Sequence, residues 1–145
     1  MPTPIRLRAI AATAAACVAA ACATTASSGT AAPFEDVDWR LLDVDGRPAV
    51  AAPTPVRVRF RSDSLRTDGD GGCNRFGGPY VRDGASLRIG PLFSTKRACA
   101  DDAATRQETA VLRALEATRR HAVSGDTLVL SGDAGPLIRW VRGAR

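Results

Sequence analysis

Hydrophobic and charged positions alternate most regularly between residues 56 and 61. Apolar side chains are separated there by arginines, in the order Val56, Arg57, Val58, Arg59, Phe60, Arg61. Because successive side chains of a strand point to opposite faces, this period predicts a strand with one apolar face and three guanidinium groups on the other. We expect a solvated arginine face, and a row of cations facing anionic lipid headgroups or lipopolysaccharide is the alternative.

Shorter apolar runs bounded by Gly, Asp and Pro predict further strands in the same way. Leu128 and Leu130 share one face of their strand, as do Ile138 and Trp140 of the last one. The remaining connections are short, which favours antiparallel pairing. The predicted strands cover residues 39–44, 80–82, 86–89, 92–95, 121–124, 127–130 and 136–141.

One segment has helical rather than strand spacing. Asp101 or Asp102 is a suitable N-cap for a helix that runs to about Arg119. Its apolar stripe contains Ala104, Val111, Leu112, Leu115 and Thr118, and Arg106, Glu108, Arg113 and Glu116 are expected to face water. The predicted fold class is α+β, mostly β: a small antiparallel curled sheet or partial barrel with one amphipathic helix packed against it.

The first residues have a different organisation, typical of an export signal. Arg6 and Arg8 precede an apolar run of about 13 residues, which is too short for the roughly 20 that span a bilayer as a helix. We therefore expect residues 1–22 to be a cleaved signal segment, and Cys22 to be the lipidation site, although Ala19 stands where a lipobox usually has Leu. Cys17 and ordinary cleavage after Ala21, Ala26 or Ala32 remain alternatives.

Residues 23–37 start as an uncharged stretch of Ala, Thr, Ser and Gly, a composition that cannot drive folding. We predict a flexible tether there and a folded domain over residues 38–142. The expected location is the bacterial cell envelope, with the domain anchored by lipid at the outer membrane and facing the periplasm. Without the anchor the protein would be periplasmic or secreted.

The formal charge is +5 at pH 7, and arginine supplies nearly all of the cations, with Lys96 as the single lysine. In a chain this rich in Ala and Arg, codon bias in a GC-rich genome explains that preference better than phosphate recognition does. Nucleic acid is an unsuitable partner for an exported protein that lacks interleaved aromatic and basic residues. The expected partners are the membrane, through the anchor, and an unidentified envelope protein or ligand.

Cys73 and Cys99 are the only cysteines of the predicted domain. In an oxidising compartment such a pair is usually a disulfide, and a loop of this length would gain roughly 3.5 kcal/mol from it. A catalytic cysteine activated by His121 is the alternative, but nothing in the sequence places that imidazole beside a sulfur. One histidine and two oxidised cysteines are too few ligands for a transition-metal site, so we predict no metal and no cofactor.

The segment from Asp68 to Gly72 is rich in Asp and Gly. It lacks the oxygen spacing of a calcium loop and the Lys-Ser/Thr of a phosphate loop. We predict a tight turn that requires positive φ.

Several boxes of the chain resemble the META-domain family, which includes the HslJ-like envelope proteins. The resemblance rests on the boxes Trp39-x-Leu41, Gly71-Gly72-Cys73-Asn74-Arg75-Phe76, Ser94-Thr95-Lys96 with Cys99, and Glu108 with Leu112 and Leu115. The family-signature residues within these boxes are Gly72, Asn74, Arg75 and Thr95. The family resemblance implies a small curled β-structure with one helix, an envelope location, an association with heat shock or antibiotic resistance, and no recognised catalytic residues.

These observations predict a non-enzymatic envelope lipoprotein with a stress-related or accessory role. The alternative is a secreted binding or inhibitory module that recognises a protein or a small apolar ligand.

Overall fold

A computed structural model describes residues 33–144 of the chain. These residues form strands and a single helix α1, which spans Asp102–Glu116. In chain order the strands are β1 Asp38–Val44, β2 Arg47–Pro48, β3 Arg57–Arg61, β4 Arg66–Asp70, β5 Arg75–Asp83, β6 Ser86–Ile89, β7 Phe93–Ser94, β8 Arg120–Ser124, β9 Thr127–Gly132 and β10 Gly135–Arg142.

The strands form one antiparallel sheet that curls until its ends meet. The order is β10-β9-β8-β6-β5-β4-β3-β1-β2, and β7 pairs separately with β5. The first long strand, β1, pairs with β3 through Asp38–Arg40 and with β10 along most of its length, so that the sheet closes a ring. The predicted fold class, a mostly β protein with a curled antiparallel sheet and one helix, is confirmed.

The apolar face of the sheet forms the core inside the ring. The apolar and arginine side chains of β3 lie on opposite faces, as predicted: Val58 and Phe60 are buried, whereas Arg57 and Arg61 are exposed. Trp39 of β1 and Trp140 of β10 are completely buried where the two ends of the sheet meet. Burial of both indole rings therefore accompanies ring closure, which makes closure favourable through the large apolar area removed from water.

Helix α1 begins as the sequence predicts and ends slightly earlier. The Asp101 carboxylate accepts hydrogen bonds from Ala103 N at 2.6 Å and Ala104 N at 3.2 Å, so it caps the first turn. The helix stops at Glu116 because Arg119 is already engaged by the sheet, where its N–H donates to Ser131 O at 2.8 Å. No helix within residues 33–144 combines the length and the apolar character that a bilayer crossing needs.

The segment predicted as a tight turn around Asp68 is instead the central strand β4. It pairs with β3 on one side and with β5 on the other, and these ladders outweigh its weak strand propensity. Gly69 is needed in the strand because a Cβ there would lie 2.3 Å from Arg57 O and 2.4 Å from the Phe76 ring. Within the segment from Asp68 to Gly72, only Gly72 has a positive φ, +110°, just after the strand.

Phe34, which precedes the predicted start of the domain at residue 38, is part of the core. The Phe34 ring is only 4% exposed and packs on the rings of Phe60, Tyr80 and His121, with centroid distances of 5.1, 6.2 and 4.1 Å. Its carbonyl accepts a hydrogen bond from Trp39 Nε1 at 2.8 Å. The sequence does not predict burial of this residue, because a single aromatic side chain has no period. The predicted signal segment, Cys22 and most of the tether lie outside the described residues.

We expect Phe34→Ala to lower the free energy of unfolding by about 3–5 kcal/mol, because it removes a buried ring and leaves a cavity among aromatic neighbours. Phe93→Ala is the matched control, since the Phe93 ring is 60% exposed, and it should cost about 1 kcal/mol or less. Urea unfolding of both variants measures the difference. Equal losses would show that Phe34 is not part of the core.

Candidate functional site

Most of the predicted signature residues lie around the side chain of Glu108, which projects from helix α1 and is only 8% exposed. Its Oε2 accepts hydrogen bonds from Cys73 N at 3.0 Å and from Asn74 N at 2.7 Å. Its Oε1 accepts a third from Asn74 Nδ2 at 2.7 Å. The expectation that Glu108 faces water is therefore wrong: three N–H groups take the place of the water that a buried carboxylate loses.

Asn74 extends this arrangement to the segment that follows β7. Its Oδ1 accepts hydrogen bonds from Thr95 Oγ1 at 2.9 Å and from Arg97 N at 2.6 Å. Its Nδ2 also donates to Arg97 O at 3.1 Å. The buried amide thus uses both its donors and its acceptor, and it joins the helix carboxylate to a segment that is distant in sequence.

Two glycines provide the space for this network. A Cβ on Gly71 would lie 2.7 Å from both Cγ and Oε2 of Glu108. Gly72 has a φ of +110°, which L side chains rarely adopt, and its Cβ would lie 2.8 Å from that of Ala52. The two glycines of the signature are therefore explained by a close approach of the helix carboxylate and by a turn in the main chain.

A disulfide joins Cys73 to Cys99, with a Cα–Cα distance of 5.8 Å. It fastens the loop before β5 to the segment before α1, beside the hydrogen bonds of Glu108. The ligating atoms of Cys73, Cys99 and Glu108 lie within 4.8 Å of one another, which is close enough for a metal ion. In the disulfide, however, neither sulfur is a thiolate, and the carboxylate already accepts three hydrogen bonds.

The side chain of Arg75 lies away from those of the other signature residues. Its main chain pairs with Thr95, since Arg75 N donates to Thr95 Oγ1 at 3.2 Å and Thr95 N donates to Arg75 O at 3.0 Å. Its guanidinium is exposed on the outer face of the sheet. The structure therefore brings Gly72, Asn74, Thr95, Cys73 and Cys99 to one site, which we call the Glu108 latch, and directs Arg75 elsewhere.

His121 is remote in the fold from this chemistry. It lies at the start of β8 with its ring against Phe34, whereas both sulfurs lie in loops beside helix α1. Burial lowers the pKa of His121, and the Ala85 carbonyl and the Glu35 carboxylate oppose that shift without cancelling it. The imidazole is an element of the aromatic cluster in this geometry.

The outer face of β3, β4 and β5 contains a groove of about 500 Å³. Arg57, Arg59 and Arg61, the row predicted from the sequence, line it together with Arg75 and the exposed ring of Phe93. Arg59 and Arg61 form ion pairs with Asp38 and Asp68, at 3.2 and 2.6 Å. The arginine face is therefore partly neutralised and concave.

The fold and the latch together define a class: a small antiparallel ring with one helix, in which a buried carboxylate and a disulfide hold the same loop. The model of the META domain family matches residues 32–144. The chain belongs to this family.

Solved structures have the same fold. A protein from Burkholderia xenovorans studied by NMR is similar with a TM-score of 0.62 and 26% identity, over 77% of this chain and 85% of that one. A second protein studied by NMR matches at 0.60 and 18% identity over 74% and 90%. A DUF4847 family protein from Bacteroides vulgatus matches at 0.52 and 15% identity over 77% and 96%. A search of curated proteins finds no match.

Glu108 was missed as a buried residue, although its position carries a signal. It stands at helical spacing between Ala104 and Val111, both of which are fully buried on the inner face of α1. A charged residue within an apolar stripe indicates either a strained position or a buried partner. The amide of Asn74 and the N–H groups beside it are that partner.

We expect Glu108→Ala to lower the free energy of unfolding by about 3 kcal/mol, because it leaves buried N–H groups of Cys73 and Asn74 without an acceptor. Glu116→Ala is the matched control on the same helix. Glu116 is exposed and accepts one hydrogen bond, from Leu92 N at 2.9 Å, so the expected loss is about 1 kcal/mol or less. Chemical denaturation under oxidising conditions compares them, and a smaller loss for Glu108→Ala than for the control would contradict the latch.

The lowered pKa of His121 predicts a dependence of stability on pH. Near and below the ordinary value of 6.5, the unfolded chain binds more protons at this residue than the folded chain does. The stability from the neutral imidazole is therefore present above about pH 6.5 and is lost as pH falls through the folded-state pKa. We expect wild type to lose more stability than His121→Gln between about pH 7.5 and pH 5 in urea unfolding. Parallel pH profiles for the two proteins would contradict this assignment.

Proposed function

We propose that the protein is a non-enzymatic lipoprotein of the bacterial cell envelope, with a stress-related or accessory role. The observation that supports this proposal is that the cysteines, the carboxylate and the side-chain amide of the Glu108 latch all have bonding partners within the fold. Both cysteines are bonded to each other, and the Glu108 carboxylate and Asn74 amide are saturated by hydrogen bonds. Groups engaged in this way hold a loop in place and are not poised to attack or protonate a substrate.

The disulfide also fits the proposed location. Disulfides persist in oxidising compartments and are rare in a bacterial cytosol. A bridge of sequence separation 26 stabilises the fold by roughly 3.5 kcal/mol in the chain-entropy model. For a domain of this size that is a large share of the total stability, which suits a protein that must withstand envelope stress.

The proposed anchor is a lipid on Cys22, and the membrane is accordingly the proposed first partner. A tether of the composition seen between Ala23 and Phe34 has a root-mean-square reach of about 20 Å. It ends at Phe34, whose ring is fixed in the core. The domain would therefore stay within one domain diameter of the outer-membrane surface that faces the periplasm, with its sheet free to contact an envelope protein or ligand.

We expect the chain isolated from the envelope to begin at Cys22 and to carry acyl groups on that residue. An intact-mass spectrum measures both, and Cys22→Ser is the control, which should lose the acyl mass and leave the membrane fraction. The same sample should contain no free thiol at Cys73 or Cys99. Cleavage at another residue with no acylation would remove the anchor from the proposal, and reactive thiols at Cys73 and Cys99 would reopen catalysis.

A further inference from the structure

Two of the four arginines that line the groove on the outer face of the sheet lack a carboxylate partner among residues 33–144. They are Arg57 of β3 and Arg75 of β5, neither of which takes part in the ion pairs of the described residues. Both face the same residue of the intervening strand: Asp70 is in register with Arg57 on one side and with Arg75 on the other. Their Cα atoms are thus about two strand spacings apart, roughly 10 Å, which allows the two guanidinium groups to converge on one anion.

The Asp70 carboxylate forms no ion pair with either arginine. Its Oδ1 accepts hydrogen bonds from the Thr54 hydroxyl and from Gly72 N, the latter at 2.9 Å. These bonds hold the carboxylate toward the loop that includes Gly72. Asp70 lies between the two arginines as a fixed negative charge, and its partners are a hydroxyl and a main-chain N–H.

The groove, of about 500 Å³, is bounded on one side by Phe93. The Phe93 ring lies against Gly77 of β5, where a Cβ would come within 2.9 Å of it. Phe93 is in register with Gly77 and is 60% exposed, so its ring forms an apolar wall beside the cations. In addition, Nε of Arg59 is buried beside the groove with no acceptor in the described part of the chain.

The charges that line the groove favour a ligand with one negative charge. Arg59 and Arg61 are balanced by Asp38 and Asp68, which leaves Arg57 and Arg75 against Asp70, a local excess of one positive charge. A phosphate diester carries one negative charge, and its two free oxygens suit two guanidinium groups. The exposed Phe93 ring supplies contact for an apolar or glyceryl substituent of the ester.

We propose that this groove binds the phosphodiester group of an amphiphile, with Arg57 and Arg75 on the phosphate and Phe93 against its substituent. The choice of phosphate over carboxylate rests on the envelope location proposed above, because phosphodiester headgroups are the anions of a lipid surface. Two sources share this chemistry: a lipid headgroup in a bilayer and a soluble glycerophosphodiester. The site is separate from the Glu108 latch, since its side chains lie on the outer face of the sheet.

The test uses the exported full chain with Cys22→Ser, so that no acyl chain contributes to membrane binding. Vesicles of phosphatidylcholine with and without phosphatidylglycerol measure the bilayer source by co-sedimentation. Titration with glycerophosphoglycerol, followed by NMR shifts of the Arg57 and Arg75 amides, measures the soluble source. Acetate at equal concentration tests a carboxylate in place of the phosphate.

We expect Arg57→Ala with Arg75→Ala to weaken binding at least about tenfold, because each guanidinium contributes charge-assisted hydrogen bonds. Arg47→Ala with Arg106→Ala is the matched control: it removes the same charge from arginines that line a different groove, beside helix α1, and that also lack ion pairs in the described residues. The control should change binding less than about threefold. Because Arg57 and Arg75 are both exposed, the thermal midpoint of the double variant should match that of the control.

Binding of phosphatidylglycerol vesicles that depends on Arg57 and Arg75 supports the headgroup as ligand, and saturable binding of glycerophosphoglycerol alone supports the soluble ester. Equal losses from both double variants would mean that net charge attracts the vesicles, and this overturns the site. Absence of both kinds of binding, or equal displacement by acetate, overturns it as well. These binding measurements do not depend on acylation of Cys22, so failure of the groove proposal can be distinguished from failure of the proposed lipid anchor.

Discussion

The arrangement of helix, loop and disulfide depends on the hydrogen bonds that the buried Glu108 carboxylate accepts. Removing a carboxylate from water is costly unless donors replace the lost hydration, and here Cys73 and Asn74 supply three N–H groups. The geometry has requirements of its own. Gly71 leaves room for the carboxylate, Gly72 turns the chain so that successive N–H groups point at it, and Asn74 transmits the constraint to Thr95 and Arg97. The disulfide then closes the same loop covalently, so that one charged group and one bond enforce the same geometry.

Much of the fold follows from the sequence because its signals are local. The alternation of Val58 and Phe60 with arginines specifies a strand and its inner face, and Asp101 specifies the first turn of α1. Strand β4 was not predicted, since its Asp and Gly residues have low strand propensity and its stability comes from ladders to β3 and β5. Phe34 was missed because a single aromatic side chain has no period and its partners Phe60 and Tyr80 are distant in sequence.

The candidate site shows the same division. The residues of the signature could be named from the sequence, and the two cysteines could be paired by elimination. Their relation to Glu108 could not be foreseen in that way, because it requires the helix to pack across the ring and bring the carboxylate beside a loop that lies more than thirty positions earlier. Arg75 also illustrates the limit: its main chain belongs with Thr95, whereas its guanidinium belongs with the outer groove. Adjacent letters in a signature can therefore serve opposite faces of one sheet.

Closure of the ring by β1 and β10 has a consequence for the order of events during biogenesis. Trp39 pairs with Arg142 and Leu41 with Trp140, so that most of the first long strand pairs with the last one, in addition to its short pairing with β3. Contacts between the ends of a chain form slowly, because closing the long loop between them costs conformational entropy before the contact stabilises the fold. Because a chain is synthesised from its amino terminus, the ring cannot close until the final strand has left the ribosome. The topology thereby delays burial of both tryptophans until the whole domain is available for folding.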